Sequence, residues 1–394
     1  MKEWKTYKLG DLINIQSGGT PNKAISAYWG GGIPWISAKT MYVDFITDSD
    51  LHITEEGLKN GSKLAPIGSI LLLTRGSGLF NRIPVCLVKE PVAYNQDIKC
   101  ITVKDGSITS NAFMFFWLYS QKELLSGILE TTGIGAGKID TCRLLDINVL
   151  LPDIETQSKF IQFCSSILEK IEVNKQINDN LEQQAQNIFN HYFIDNPIEL
   201  GSYSEGVLTD IAVYLNGLAM QKFRPEGSDF GLPVLKIKEL GQRSCDNNSD
   251  RCSSLIKEEY IVNDGDVIFS WSGTLLVDLW CGGKCGLNQH LFKVTSDTYP
   301  KWFYYFWTKH HLDNFIRVAK DKAVTMGHIK RTELEKANII VPTQDKLSEI
   351  NRIISPIITK IINHRVEMRK LAQLRDSLLP QLMSGELKIN EIDC

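Results

Sequence analysis

Internal repetition constrains the fold of this chain more than any other feature. LGDLINIQSGG (Leu9–Gly19) is answered by LTDIAVYLNGL (Leu208–Leu218), and GIPWISAK (Gly32–Lys39) by LPVLKIKE (Leu232–Glu239). IGSILLLTRGS (Ile67–Ser77) is answered by DGDVIFSWSGT (Asp264–Thr274), and YNQDIKCITV (Tyr94–Val103) by LNQHLFKVTS (Leu287–Ser296). FMFFWLYS (Phe113–Ser120) matches FYYFWTKH (Phe303–His310), and DINVLLPDIETQ (Asp146–Gln157) matches KANIIVPTQDKL (Lys336–Leu347). Matches kept in one order, at a period of about 190–200 residues, mean two diverged copies of one pattern.

Each copy has two parts. The first mixes short β-branched and aromatic runs with Gly, Pro and Asn turns. ILLLT and DVIFSW read as buried strands and NAFMFFWLYSQKELL as a buried helix, so this part is expected to be a compact α+β domain. It ends on INVLLP or NIIVP, where the proline stops the ladder. The second part is a heptad seam: Phe160, Cys164, Ile167, Ile171, Asn174, Asn178, Leu181, Ala185, Ile188 and Tyr192 alternate at spacings of four and three. The same spacing recurs 190 residues on, at Ile350, Ile354, Ile357, Ile361, His364, Met368, Leu371, Arg375, Leu378 and Leu382. Asn174, Asn178 and His364 interrupt the two seams at matching places, where buried polar groups fix register and partner choice. Pro356 is expected to kink the second helix.

The expected organisation is a first α+β domain over 1–152, a long helix over 153–195, a second α+β domain over 196–342, a second long helix over 343–386, and a tail over 387–394. Helices of this length reach ~60 Å. Paired antiparallel as a coiled coil, they would hold the domains at opposite ends of a pseudo-twofold dumbbell. The alternative is two amphipathic helices, each packed on its own domain.

TTGIGAGKIDT (Thr131–Thr141) has the look of a phosphate-binding loop and fails its chemistry. Such a loop runs from a strand through GxxxxGK[ST] into a helix. Here a helix precedes, Thr132 stands where the first glycine belongs, and Ile139 follows Lys138. The repeat partner, AVTMGHIKRT (Ala323–Thr332), keeps only one of the glycines. Both stretches read as exposed loops, with Lys138, Lys330 and Arg331 as surface cations. Methyltransferase, zincin, serine-hydrolase and nuclease signatures are absent, and the histidines share no repeat-related position, so no catalytic residue is assigned. Nine cysteines form no CxxC pair. Cys245, Cys252, Cys281 and Cys285, with His290 nearby, lack the short ligand pairs of a zinc site, and no metal is expected.

Net charge is −3, which excludes a chain coated in basic charge but not local nucleic-acid binding. The excess acid sits in residues 152–199, with 3 Lys+Arg against 8 Asp+Glu. No apolar run follows the charges of MKEWKTYKLGD, and the longest one, AFMFFWLY, is far short of the ~20 residues of a membrane helix. A cytoplasmic protein is expected.

Over its whole length the chain resembles the specificity subunits of Type I restriction–modification systems. The resemblance rests on the two-copy layout and on LGDLINIQSGGTP, GIPWI, YNQD and LLPDIETQSKFI. Most specific are LEQQAQNIFNHYF, ending the first helix, and RDSLLPQLMSGEL, ending the second. It implies that each α+β domain is a target-recognition domain reading half of a split DNA site. It implies that the paired helices space the half-sites and dock two modification (methyltransferase) subunits. S-adenosylmethionine, ATP and magnesium would belong to these and to restriction (motor-nuclease) subunits, and the chain itself would be neither an enzyme nor a cofactor carrier. Near-neutral domains then imply that partner subunits supply much of the positive field.

Loop residues with donors suited to bases and phosphates are the expected DNA contacts. In the first domain these are Lys23, Lys39, Arg75, Asn81, Arg82 and Lys138; in the second, Gln221, Lys222, Arg224, Lys236, Lys238, Ser272, Lys330 and Arg331. Asn95/Gln96 and Asn288/Gln289 recur in both copies and are expected to hold the fold instead. Trp35, Trp117 and Trp307 are expected in the core. A coiled-coil scaffold whose domains bind proteins, without DNA specificity, is the competing reading.

Overall fold

The computed structural model describes residues 4–133, 135–321 and 328–387. Half of Ala323–Thr332 and most of the tail over 387–394 therefore lie outside the described residues. The chain divides into two compact units, Met1–Glu169 with Ala372–Cys394, and Lys170–Leu371.

The first unit is built on a five-stranded sheet in the order Ile13–Ser17, Ile98–Val103, Ile70–Leu73, Val85–Val88, Phe45–Ile46. The second repeats its first four positions with Val213–Asn216, Leu291–Thr295, Val267–Ser270 and Leu276–Leu279. A smaller sheet recurs too: His52–Ile53, Trp29–Ile36, Val92–Tyr94, Leu64–Ala65 in one unit, and Arg251–Cys252, Leu232–Leu235, Cys285–Leu287, Ile261–Val262 in the other. In each the central pair is parallel, Ala93 opposite Trp35 and Gly286 opposite Val234. Each unit is closed by an antiparallel pair of its first and last strands, Lys5–Lys8 with Asn148–Leu151 and Tyr203–Val207 with Asn338–Pro342.

The aromatic helices Asn111–Ser120 and Lys301–His310 are buried on nearly every face, as helices apolar all round must be. Trp35, Trp117 and Trp307 are in the cores. The recurring asparagines are structural. Asn95 and Asn288 are buried, their amides donate to Ile36 and Leu235 carbonyls, and their Oδ1 atoms accept from the amides of Asp97 and His290. The glycine kept beside them is forced by space: a Cβ at Gly18 would lie 2.1 Å from the Tyr94 oxygen, and one at Gly217 2.3 Å from the Asn288 oxygen.

Two long helices, Ile154–Asn190 and Gln344–Ser384, complete the fold. The second runs unbroken through Pro356, an exposed position. Each unit holds a stretch of both. In the first unit Phe160, Cys164 and Leu168 share a core with Leu379, Leu382 and Met383. In the second, Asn174 Nδ2 donates to Glu367 Oε2 at 2.8 Å, and Asn178 Oδ1 lies 3.1 Å from His364 Nδ1. As one helix is followed forward its partners run backward, so the pairing is antiparallel.

The buried line on the second helix departs from the expected seam. Ile350, Ile354, Ile361 and Leu382 are buried, but Ile358, Arg365 and Leu379 take the inward places expected of Ile357, His364 and Leu378, which are half-buried. Ile171, Leu181, Ile188, Met368 and Leu371 also lie at the margin. An α-helix turns every 3.6 residues rather than 3.5, so a strict heptad drifts off the contact line. Arg365 is only 8% exposed. It donates to Asp278 Oδ1 and the Leu279 carbonyl, both at 2.8 Å, and to Glu182 Oε1 of the first helix at 2.6 Å. Arg243 reaches the other Asp278 oxygen at 2.6 Å. Opposed carboxylates raise the Arg365 pKa despite burial, which acts the other way.

Candidate nucleic-acid interface

Lys138 is in a strand, not the loop expected of it. Leu129–Thr131 and Gly137–Ile139 form a hairpin whose turn uses Gly135 at φ +78°, and the hairpin pairs with Arg75–Gly76. The glycines thus serve a turn. The register sets Lys138 directly opposite Arg75. Like charges directly opposite on neighbouring strands are destabilising, so this site carries charge the fold does not need.

Lys99, from the central strand Ile98–Val103, completes the cluster. Arg75, Lys99 and Lys138 line one cleft of about 230 Å³ with Ser17, Thr74, Gln96 and a single carboxylate, Asp97. Burial lowers the Lys99 pKa, the charges of Arg75 and Lys138 lower it further, and Asp97 opposes them. A group whose cationic form is disfavoured by its neighbours gains from an incoming anion. Aromatic surface borders the chain on either side of the Arg75–Lys138 pair, near Gly78 and Gly137. Phe80 is 52% exposed, with its ring edge 3.4 Å from where a Gly137 Cβ would be, and Arg82 lies 6.0 Å over the ring of exposed Tyr42. Arg82 also reaches Asp44 at 3.6 Å. Cations interleaved with aromatic faces suit a nucleic acid, which offers phosphates and base planes together. Lys23, Lys39 and Asn81 are exposed and lie outside the cleft lining.

The same place in the second unit is built differently. Ser272 and His328 form a β-bridge where Arg75 and Lys138 pair. Ser272 is 7% exposed, a correction to its reading as an open loop donor: the segment is bridged to His328, and Ser270 Oγ donates to the carbonyls of both Ser272 and Thr274. Trp271 lies 6.0 Å from His290, 6.4 Å from His328 and 5.7 Å from Phe292, ring to ring. Its Nε1 donates to Asn216 Oδ1 at 3.0 Å. The buried His290 Nδ1 has no hydrogen-bond partner, and its Nε2 lies 3.2 Å from Gln289 Nε2.

The remaining second-domain candidates divide. Lys236 is held by Asp250 and Lys238 by Asp246 at 3.5 Å, so both are engaged in ion pairs within the unit. Gln221, Lys222 and Arg224 are exposed on and after the turn Met220–Lys222, and Lys330 and Arg331 are exposed at the start of the short helix Arg331–Leu334. Sequence reasoning passed over Lys99, Trp271, His290 and His328. The repeat held a signal for the last two, since the counterparts of His290 and His328 are Asp97 and Lys138. Among the described residues no His/Cys/Asp/Glu group of three or more is arranged to hold a metal ion. Cys252, Cys281 and Cys285 are buried thiols, their pKa values raised chiefly by burial, while a hydrogen bond with Cys285 lowers that of Cys245. No helix among the described residues is long and apolar enough to cross a membrane.

Two copies of one α+β unit, each followed by a long helix, match the profile of the Type I restriction modification DNA specificity domain over residues 1–183 and again over 205–374. The chain belongs to this family of DNA specificity proteins. It is 27% identical to the Type I restriction enzyme MjaIX specificity subunit of Methanocaldococcus jannaschii, across 99% of this chain and 95% of that protein. Its similarity to the Type I restriction enzyme EcoR124I/EcoR124II specificity subunit of Escherichia coli is 30% identity over 47% of this chain and 44% of the other. The fold is shared with the crystal structure of a Type I restriction-modification system S subunit from M. genitalium, at TM-score 0.61 and 13% identity over 96% of both chains.

Proposed function

We propose that this chain is the sequence-reading subunit of a Type I restriction–modification complex and acts in the cytoplasm. Each α+β unit reads one half of a bipartite site in double-stranded DNA, and the helix pair fixes the spacing between the halves. The helices dock two modification (methyltransferase) subunits, which bind S-adenosylmethionine. Restriction (motor-nuclease) subunits bind ATP and magnesium. The chain contributes recognition and no chemistry.

The observation that carries the DNA reading is the Arg75–Lys99–Lys138 cleft, three cations against one carboxylate. An arginine can take guanine O6 and N7 together, while lysines held beside it neutralise phosphates. The second unit offers histidine and indole edges at the same place, suited to different bases. The test is binding of duplexes by the chain assembled with the subunits it retains from source-cell lysate. Lys99→Ala with Lys138→Ala is expected to reduce the salt slope of log K by about 2. An unchanged slope and affinity would remove the cleft from the interface.

A further inference from the structure

The loop between the turn Met220–Lys222 and the strand Leu232–Leu235 holds apolar side chains in solvent. Phe230 is 91% exposed and Leu255, on the neighbouring segment, 86%. The backbone beneath them is tightly bonded. Asp229 Oδ1 accepts from the Gly231 amide and Ser254 Oγ, both at 2.7 Å, and its Oδ2 from Ser253 Oγ at 2.7 Å and the Ser254 amide at 2.9 Å. Arg251 donates to the carbonyls of Phe230 at 2.9 Å and Gly231 at 2.7 Å. Gly231 turns the chain at φ +65°, where a Cβ would lie 2.4 Å from Pro225. Phe230 and Leu255 each follow a residue of this hub, so they project from one preorganised base. The corresponding stretch of the first unit, Gly30–Gly32, has no side chain to offer.

Charge selects the occupant. The Asp229 carboxylate is consumed by its four donors, and Asp246 and Asp250 are paired with lysines. Glu226 is exposed, as are Lys222 and Arg224 beside the prong; Arg224 lies near enough to Asp250 for its charge to help lower that carboxyl's pKa. A rigid apolar tip next to exposed cations suits a duplex, whose phosphates flank an apolar stack. We propose that Phe230 and Leu255 form a wedge that enters between stacked base pairs of the half-site read by the second unit, with Lys222 and Arg224 on the adjoining phosphates. This rests on the DNA-reading function proposed above.

The test uses the full chain with its retained subunits and a duplex recovered by selection from a random library, with 2-aminopurine placed in turn along each block. Binding is expected to raise fluorescence at one step of one block. Phe230→Ala with Leu255→Ala should abolish that rise and weaken binding about 10- to 100-fold, with the thermal midpoint unchanged. Phe230→Trp should keep the rise. Selected duplexes that bind the wild type without any rise, or bind the double variant equally well, overturn the wedge while leaving the recognition function standing. Loss of the retained subunits at unchanged DNA affinity overturns it in favour of a protein-docking prong. No enrichment of any duplex by the wild type overturns the recognition reading itself, and the wedge with it.

Discussion

Beyond the strand Ile70–Leu73 the first unit continues into Arg75, opposite Lys138; beyond Val267–Ser270 the second continues into Ser272, opposite His328. The pairing is the same and the chemistry is exchanged. Where Lys99 donates to Ser17 Oγ, the second unit has the Trp271 indole donating to Asn216, the counterpart of Ser17. Gly18 and Gly217, Asn95 and Asn288 are held by backbone geometry common to both. Side chains facing the cleft are free of that demand, so one framework can present a lysine- and arginine-lined surface in one copy and an aromatic one in the other. That is the division expected of two modules reading unlike half-sites.

The units also differ in how they grip the long helices. Both pack them through apolar cores, Phe160 with Leu379, Leu382 and Met383 in the first and Ala185 and Phe189 with Ile350, Ile354 and Ile358 in the second, but the buried arginine differs: Arg375 lies 3.4 Å from Asp44 in the first, whereas Arg365 in the second binds both Asp278 and Glu182 at 2.8 and 2.6 Å. The largest expected effect follows from this. Arg365→Ala leaves Glu182 without its cation and the buried Asp278 with Arg243 alone, and should cost about 3–5 kcal/mol, read by denaturant unfolding. Arg365→Met restores most of the lost volume but leaves the same carboxylates uncompensated, so it should cost nearly as much. A much smaller loss in the methionine variant would mean packing, not charge, holds the second unit to its helix.

Next in size is Arg75→Ala, expected to cost about 1–3 kcal/mol of binding and to relax one position of one DNA block only. The reciprocal exchange, Ser272→Arg with His328→Lys, should alter the other block and leave the first intact. If both substitutions changed the same block, the two clefts would not be separate readers.

The smallest effect is on pH. Burial lowers the pKa values of His310, His311 and His364, all in the second unit, from 6.5. Below 6.5 the unfolded chain takes up protons that the folded one refuses, so this contribution to stability is present above 6.5 and lost as pH falls through the folded values. Hydrogen exchange at pH 5.5 against 7.5, corrected for intrinsic rates, should show the second unit losing protection more than the first. His364→Asn should reduce that difference.

The repeat, the α+β domains and the long helices were legible because each is written in periodic apolar residues. The cleft was not. Ser17, Arg75, Lys99 and Lys138 come from four separate strands, and only the hairpin register brings the last of them opposite Arg75. Lys236 and Lys238 read as free cations because Asp250 and Asp246 approach them through a loop whose path the sequence does not display. Arg365 was missed for a different reason: one residue beyond His364, it turns inward only because the real helix drifts from the heptad. Phe230 and Leu255 were missed because exposure of an apolar residue has no sequence signature.

The central claim is that two related units read two DNA half-sites at a fixed separation. Its most direct test is selection from a random duplex library by the full chain with its retained subunits, followed by sequencing of the bound DNA. The account predicts two short conserved blocks separated by an invariant number of unspecified bases. No enrichment, with the partner subunits demonstrably present, would contradict it and favour a protein scaffold.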